Sequence, residues 1–300
     1  MDAGVQVALA HRSLLGDGLL WQHGGNRWWW TDVPAATLYA WTEGAPAPAA
    51  CRLPDRAGSF AFCRSGRMLV ALAKWLCVAE PPGGKVAPRH LALRPVVAVD
   101  PAEPRTRVAD GRTDRHGNFV FGTRIEAAQP RAIGSFYQYS QAHGLRRLAL
   151  PAAAVAGSIC FAPDGRTMYF SDAHEHRIMQ CAYDPTTAQV ADVRPFAELA
   201  DARPHGAVVD SDGCLWNAEW GTGRLTRWSP AGERMRAWTL PVPHPTRPAF
   251  GGAALDTLLV ASARQGRTGR DDSGSGGSLF RLAVPGVRGI PDTLFDDDNP

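Results

Sequence analysis

Residues 203–230, RPHGAVVDSDGCLWNAEWGTGRLTRWSP, hold three short apolar runs at 207–209, 214–218 and 225–228, separated by an Asp/Gly turn at 210–213 and a Gly-centred turn at 221–223. Runs of strand length punctuated in this way predict a meander of antiparallel strands. A single meander has two faces and cannot bury both, so the rest of the chain has to cover it.

The chain does so by repetition. The same succession of run, turn and run recurs around the turns 163–165, 114–117, 65–66 and 24–26, and again over 250–262, where a Gly/Ser-rich insertion at 273–278 precedes a last run at 279–282. The second strands of the six units return roughly every 40 to 50 residues, the spacing of propeller blades rather than of helical solenoids. The expected fold is an all-β, six-bladed β-propeller, one domain over residues 1–300, with a single funnel site on its axis.

Composition agrees with this and narrows the partners. The 31 Gly and 24 Pro supply the turns that β meanders need, and 10 Trp give large apolar side chains for the core. Basic and acidic residues are interspersed and the net charge is only +3, so the arginines read as a solvated outer surface and nucleic acid or an anionic membrane is not an expected partner. No apolar run approaches the ~20 residues of a membrane span. The segment MDAGVQVALAHRSLL lacks the basic start and apolar core of a secretory leader. Six cysteines without a CxxC pair, mostly inside apolar runs, read as buried reduced thiols rather than zinc ligands. A cytoplasmic monomer or weak homo-oligomer acting on a small molecule is the expectation.

In a propeller the innermost strand of each blade starts near the axis. The residues just ahead of each first run are Asp17, Ser59, Ala109 with Asp110, Gly157 with Ser158, His205 and Gly251. Together they form the ring from which a site can be assembled.

Several motifs then fall in a fixed order: Leu15-Gly16-Asp17-Gly18 with Trp30-Thr31-Asp32; Arg107-Val108-Ala109-Asp110-Gly111 with Gly122-Thr123; Ser158-Ile159-Cys160-Phe161 with Pro163-Asp164-Gly165; Pro204-His205-Gly206 with Leu215-Trp216; and Phe250-Gly251-Gly252. Over essentially the whole chain this resembles the regucalcin/gluconolactonase family of sugar lactonases, and within it the bacterial L-arabinolactonase-like pentonolactonases. The resemblance implies a divalent ion (Zn, Mn, Fe or Ca) at the bottom of the funnel and metal-dependent hydrolysis of a sugar lactone to the aldonic acid. It implies three metal ligands, a Glu, an Asn and an Asp that also acts as base, and an Arg-x-Asn pair that holds the sugar.

The matching positions here are Asp17, Gly157, His205, Arg107 and Ala109. Only Arg107 keeps the family's residue. Asp17 is one methylene shorter than Glu, Gly157 brings no ligand although Ser158 stands beside it, and Ala109 cannot hydrogen-bond a hydroxyl. An imidazole at His205 favours zinc or another transition metal over calcium. Asp17 and His205 are accordingly the expected metal ligands and catalytic groups, with Arg107, Ala109, Gly157, Ser158 and Glu126 around the substrate.

Three readings stay open. The first is a metal-dependent lactonase. The second is a diverged or engineered variant in which the lost Asn side chains enlarge the pocket for a bulkier, less polar substrate, with His205 as base or as ligand to a Lewis-acid metal. The third is a binding propeller whose site has decayed. Away from the axis, His174-Glu175-His176 reads as an exposed turn, Trp28-Trp29-Trp30 as alternate packing against neighbouring blades, Asp110 as an acceptor for strand-end N–H groups, and Asp271–Gly277 as a flexible insertion.

Overall fold

A computed structural model, describing residues 4–81, 89–264 and 274–298, turns each apolar run into a strand. The chain enters through β1 (Val5–Leu9) and then builds blade one from β2 (Gly16–Gln22), β3 (Arg27–Asp32), β4 (Thr37–Trp41) and β5 (Ala49–Arg52). Blade two is β6 (Ala57–Phe62), β7 (Met68–Leu72), β8 (Trp75–Ala79) and β9 (Arg94–Ala98). Blade three is β10 (Thr106–Thr113), β11 (Phe119–Ile125), β12 (Phe136–Ser140) and β13 (Gly144–Arg147). Blade four is β14 (Ala156–Phe161), β15 (Thr167–Asp172), β16 (Arg177–Asp184) and β17 (Gln189–Glu198). Blade five is β18 (Arg203–Val209), β19 (Leu215–Trp220), β20 (Arg224–Trp228) and β21 (Arg234–Thr239). Blade six takes β22 (Pro245–Gly251), β23 (Thr257–Ser262) and β24 (Leu279–Leu282) and completes itself with β1, which pairs antiparallel with β24. These are six four-stranded sheets, the six-bladed propeller that the repeat predicts.

The core lies between blades. Trp29 packs with Phe60 and Val70 of blade two, whereas Trp28 and Trp30 pack with Ala249, Leu259 and Ala261 of blade six. Successive residues of a strand point to opposite faces, so the Trp28-Trp29-Trp30 run sews blade one to both neighbours at once. Similar clusters join the other pairs, with Phe119 and Phe121 facing blade two and Trp216 facing Phe250 of blade six. Removing one fully buried ring of this size costs about 3–5 kcal/mol.

All six cysteines are buried and unpaired. Burial pushes the Cys160 thiol up to about 12, which makes it an inert packing group. No described helix is long and apolar enough to cross a membrane. The outer strands β5, β9, β13, β17, β21 and the closing strand β1 go beyond the sequence reading. Of the insertion expected at Asp271–Gly277, residues 271–273 lie outside the described residues, while Gly277 is tied down, its N–H donating to the Ser262 hydroxyl at 3.1 Å.

Candidate active site

At one level of the barrel every inner strand loses register with its neighbour: between Asp17 and Leu20, Ala57 and Ser59, Val108 and Gly111, Gly157 and Cys160, Pro204 and Ala207, and Pro245 and Pro248. Such irregularities bend a strand and re-aim its side chains. Here they gather Asp17, Arg107, Ala109, Asp110, Gly157 and His205 around one cavity at the start of the inner strands, with Arg124 of β11 added to the wall.

His205 is held on three sides. Its ring stacks on Trp220, centroids 5.4 Å apart, and Trp220 stacks in turn on His244 at 4.2 Å. The His205 Nδ1 lies 3.1 Å from the Thr246 carbonyl and 3.8 Å from Oδ2 of Asp17. A carbonyl only accepts, so this hydrogen bond requires the proton on Nδ1 and leaves Nε2 with its lone pair free. The Asp17 carboxylate lies beside the same nitrogen.

Asp17 is nearly enclosed, with its side chain 13% exposed. Burial is the main cause that raises its carboxyl above the usual range; nearby Asp110 adds to this, while His205, Arg247 and the Gly18 N–H pull it back. A carboxyl raised on folding weakens the fold as pH climbs from the unfolded-state pKa through the folded one. Asp17→Asn is therefore expected to raise the melting temperature at pH 7 to 8, with the gain disappearing below about pH 4, where Asp17 is protonated in both states. Melting curves across that range check it, and an equal or reversed effect at both ends would remove the strained-carboxylate reading.

Beneath Asp17 lies a cation that the sequence reading placed on the surface. Arg247, in β22, is 1% exposed and its Nη1 donates to Oδ1 of Asp110. Burial works against its charge, but the carboxylates of Asp110 and Asp17 outweigh that, so its pKa is raised. Asp110 uses its second oxygen to accept the Ile159 N–H of blade four at 2.9 Å, the backbone role expected of it, and adds the ion pair. Arg107 is also buried; its Nε donates to Glu126 at 3.0 Å and its Nη1 to the Val108 carbonyl at 2.8 Å. Burial, with Arg124 and Arg56 nearby, brings Arg107 down to about 10, still a cation at neutral pH. Burial also lowers Arg124, which senses both Glu126 and Asp17.

Other expected site residues stand elsewhere. Glu126 is behind Arg107 rather than on the cavity wall, clamped between Arg107 and Arg56. Ser158 is fully buried at φ 55°, donates to the His205 carbonyl at 2.8 Å, and receives hydrogen bonds from Ser171 and Asn217. It fixes the backbone of His205 instead of facing substrate. Ser59 likewise turns away, donating to the Gly111 carbonyl at 2.7 Å. Gly251 lies near the far end of β22, where a Cβ would come within 2.4 Å of the Trp28 ring. Away from the site, His176 caps a turn through the Ala202 carbonyl, in the segment expected as an exposed turn.

The enlarged pocket is not what the geometry contains. A Cβ on Gly157 would lie 2.9 Å from the His205 carbonyl, so the backbone of blade five, not empty space, occupies the place of the missing side chain. The cavity measures about 30 Å³, enough for a water molecule or two. A larger ligand has to sit at its mouth.

The profile of the SMP-30/Gluconolactonase/LRE-like region matches residues 15–264. The chain belongs to this family. The L-arabinolactonase of Azospirillum brasilense is similar to it at 38% identity over 283 residues, covering 92% of this chain and 91% of that protein. The 6-deoxy-6-sulfogluconolactonase of Pseudomonas putida is 30% identical, covering 95% and 97%. Among family structures, the calcium-binding regucalcin of Agrobacterium tumefaciens superposes with a TM-score of 0.87 at 26% identity, covering 98% of this chain and 97% of that one.

A divalent ion in this family's site needs converging donors. Among the described residues no group of three or more His, Cys, Asp or Glu side chains converges in that way. Asp17 and His205 face each other, Gly157 adds no side-chain donor, the His205 nitrogen nearest Asp17 is the one turned to a carbonyl, and a fixed guanidinium already lies beneath Asp17. This donor set does not fit a three-ligand site for a divalent ion.

Proposed function

We propose that the chain hydrolyses a sugar lactone, with His205 as the general base. The observation that carries this is the Nδ1 contact with the Thr246 carbonyl beside Asp17, which presents Nε2 as the basic nitrogen. The family relatives named for arabinono- and sulfogluconolactone hydrolysis support the substrate class.

In this reading the lactone ring lies at the mouth of the cavity and a water enters the enclosed space. His205 Nε2 takes a proton from that water as its oxygen attacks the lactone carbonyl carbon. Negative charge grows on the carbonyl oxygen, and the guanidiniums of Arg107 and Arg124 stabilise it in a site shielded from bulk water. The ring C–O bond then breaks, and the imidazolium returns its proton to the departing alkoxide, giving the open-chain acid. Asp17 stabilises the imidazolium between the two transfers.

A panel of pentono- and hexonolactones, assayed with and without prior chelation, tests this. Turnover that survives chelation is the expected result. Turnover abolished by chelation and restored by zinc or manganese would instead assign Asp17 and His205 to an ion. A folded protein inactive on the whole panel would favour a binding propeller.

A further inference from the structure

The mouth of the small axial cavity has two unlike sides. On the side of blade three stand the guanidiniums of Arg107 and Arg124. Arg107 spends two of its nitrogens on Glu126 and the Val108 carbonyl, whereas Arg124 donates only Nε, to the Ile125 carbonyl at 3.4 Å, and keeps both Nη groups without a partner among the described residues. Blade three faces blade six across a ring of six, so the opposite wall comes from the flanks of blades one and five. There the mouth is carbon: Leu15 just ahead of β2, Val33 just after β3 and Pro204 of β18, with Val155 and Ala173 of blade four beside them. Val155 is half-buried and Leu15 keeps 8% of its surface. Leu15 and Val33 cluster with Ala263, and the half-buried Trp220 packs against that cluster while stacking on His205. The carbon wall therefore adjoins the basic imidazole.

This wall gives a hydroxyl group little to bond. The carbonyls of Leu15 and Val155 already accept the Val33 and Ala173 N–H groups, at 3.0 and 2.9 Å. Asp110 has one oxygen on Arg247 and the other on the Ile159 N–H. Asp17 is the carboxylate left at the cavity, and it lies against His205. Ala109 stands where the family resemblance implies an asparagine, and it brings no amide. A hydroxyl pressed against carbon gives up its water without a replacement, whereas a methyl group gains by the same burial.

We propose that the preferred substrate is the lactone of a terminally deoxygenated sugar, with its carbonyl oxygen on Arg107 and Arg124 and its terminal methyl group against Leu15, Val33 and Pro204. This rests on the lactonase reading above and specifies the end of the substrate remote from the reacting carbonyl. Leu15 and Val33 are then specificity-determining residues, apart from the groups that do the chemistry.

Two matched pairs test it: mannonolactone with 6-deoxymannonolactone, and arabinonolactone with 5-deoxyarabinonolactone, each pair differing by a terminal hydroxymethyl or methyl group. In the configuration that is turned over, kcat/KM for the deoxy member is expected to be about tenfold to a hundredfold higher, the margin an apolar wall exerts against an added hydroxyl. Leu15→Gln, which puts an amide into the wall, is expected to abolish that preference by lowering KM for the hydroxymethyl lactone. Val33→Thr, nearly the same shape with a hydroxyl added, gives the same readout should Leu15→Gln fail to fold. Equal kcat/KM within each pair, or a preference left whole in both variants, would overturn the proposal and leave the lactonase reading standing. Turnover of none of the four would sink the lactonase reading, and calorimetric affinities of the same pairs would then decide: tighter binding of the deoxy member is expected, and equal affinity or no binding overturns the proposal.

Discussion

Replacing His205 by alanine is expected to lower kcat for lactone hydrolysis by about a hundred- to ten-thousand-fold, the range for loss of a general base. The fold is expected to stay intact. His205 is partly exposed and its ring makes one hydrogen bond and one stacking contact, while its backbone is fixed independently through the Ser158 hydroxyl. The damage should therefore appear in kcat at saturating substrate, with an unchanged melting temperature and partial rescue by added imidazole. A loss smaller than about threefold, well under the range for such a base, would remove His205 from the chemistry.

The second large effect concerns stability. Arg247→Met leaves the Asp110 carboxylate buried opposite a methyl group and deprives Asp17 of its neighbouring cation. Breaking a buried pair from one side costs about 3–5 kcal/mol, because the surviving charge has no water to turn to. Urea unfolding is expected to show a loss of that size. The double variant Arg247→Met/Asp110→Asn is expected to recover most of it, since asparagine keeps an oxygen for the Ile159 N–H without the charge. A single variant within about 1 kcal/mol of the parent, far short of the cost of an orphaned buried charge, would mean that the axial pair contributes little.

Arg247 also shows where reading the sequence stops. The blade period, the alternate packing of Trp28, Trp29 and Trp30, the buried thiols and the meeting of Asp17, Arg107, Ala109, Gly157 and His205 were all legible, because each rests on periodicity or on motifs in order. A single arginine in the strand Pro245–Gly251 carries no such signal, and a mixed charge balance makes the solvated surface its default place. Its partners, Asp110 and Asp17, lie far off in sequence and meet it only after six blades close. The one local hint is that its strand is buried throughout, which no composition rule conveys.

The outer strands escaped for the opposite reason. Segments such as Arg234–Thr239 and Gly144–Arg147 are short and half-polar, because one side faces solvent, and they are strands only by virtue of the neighbour they pair with. The size of the candidate cavity was likewise out of reach. Gly157, where the family resemblance implies an Asn, suggests open space on paper, but the carbonyl of His205 lies where a side chain would go.

The pairing of β1 with β24 bears on how the ring comes into being. Val5 pairs with Leu282, so a ribosome presents the first strand long before its partner exists. Until then that strand has no permanent neighbour, and its contacts with the far end of the chain are among the last to be made. Contacts of such separation slow folding and lengthen the time during which unpaired edges are open to other chains. Ring closure thus links the two ends of translation, and a chain interrupted before Leu279 would leave the last blade without β24 and β1 without its partner.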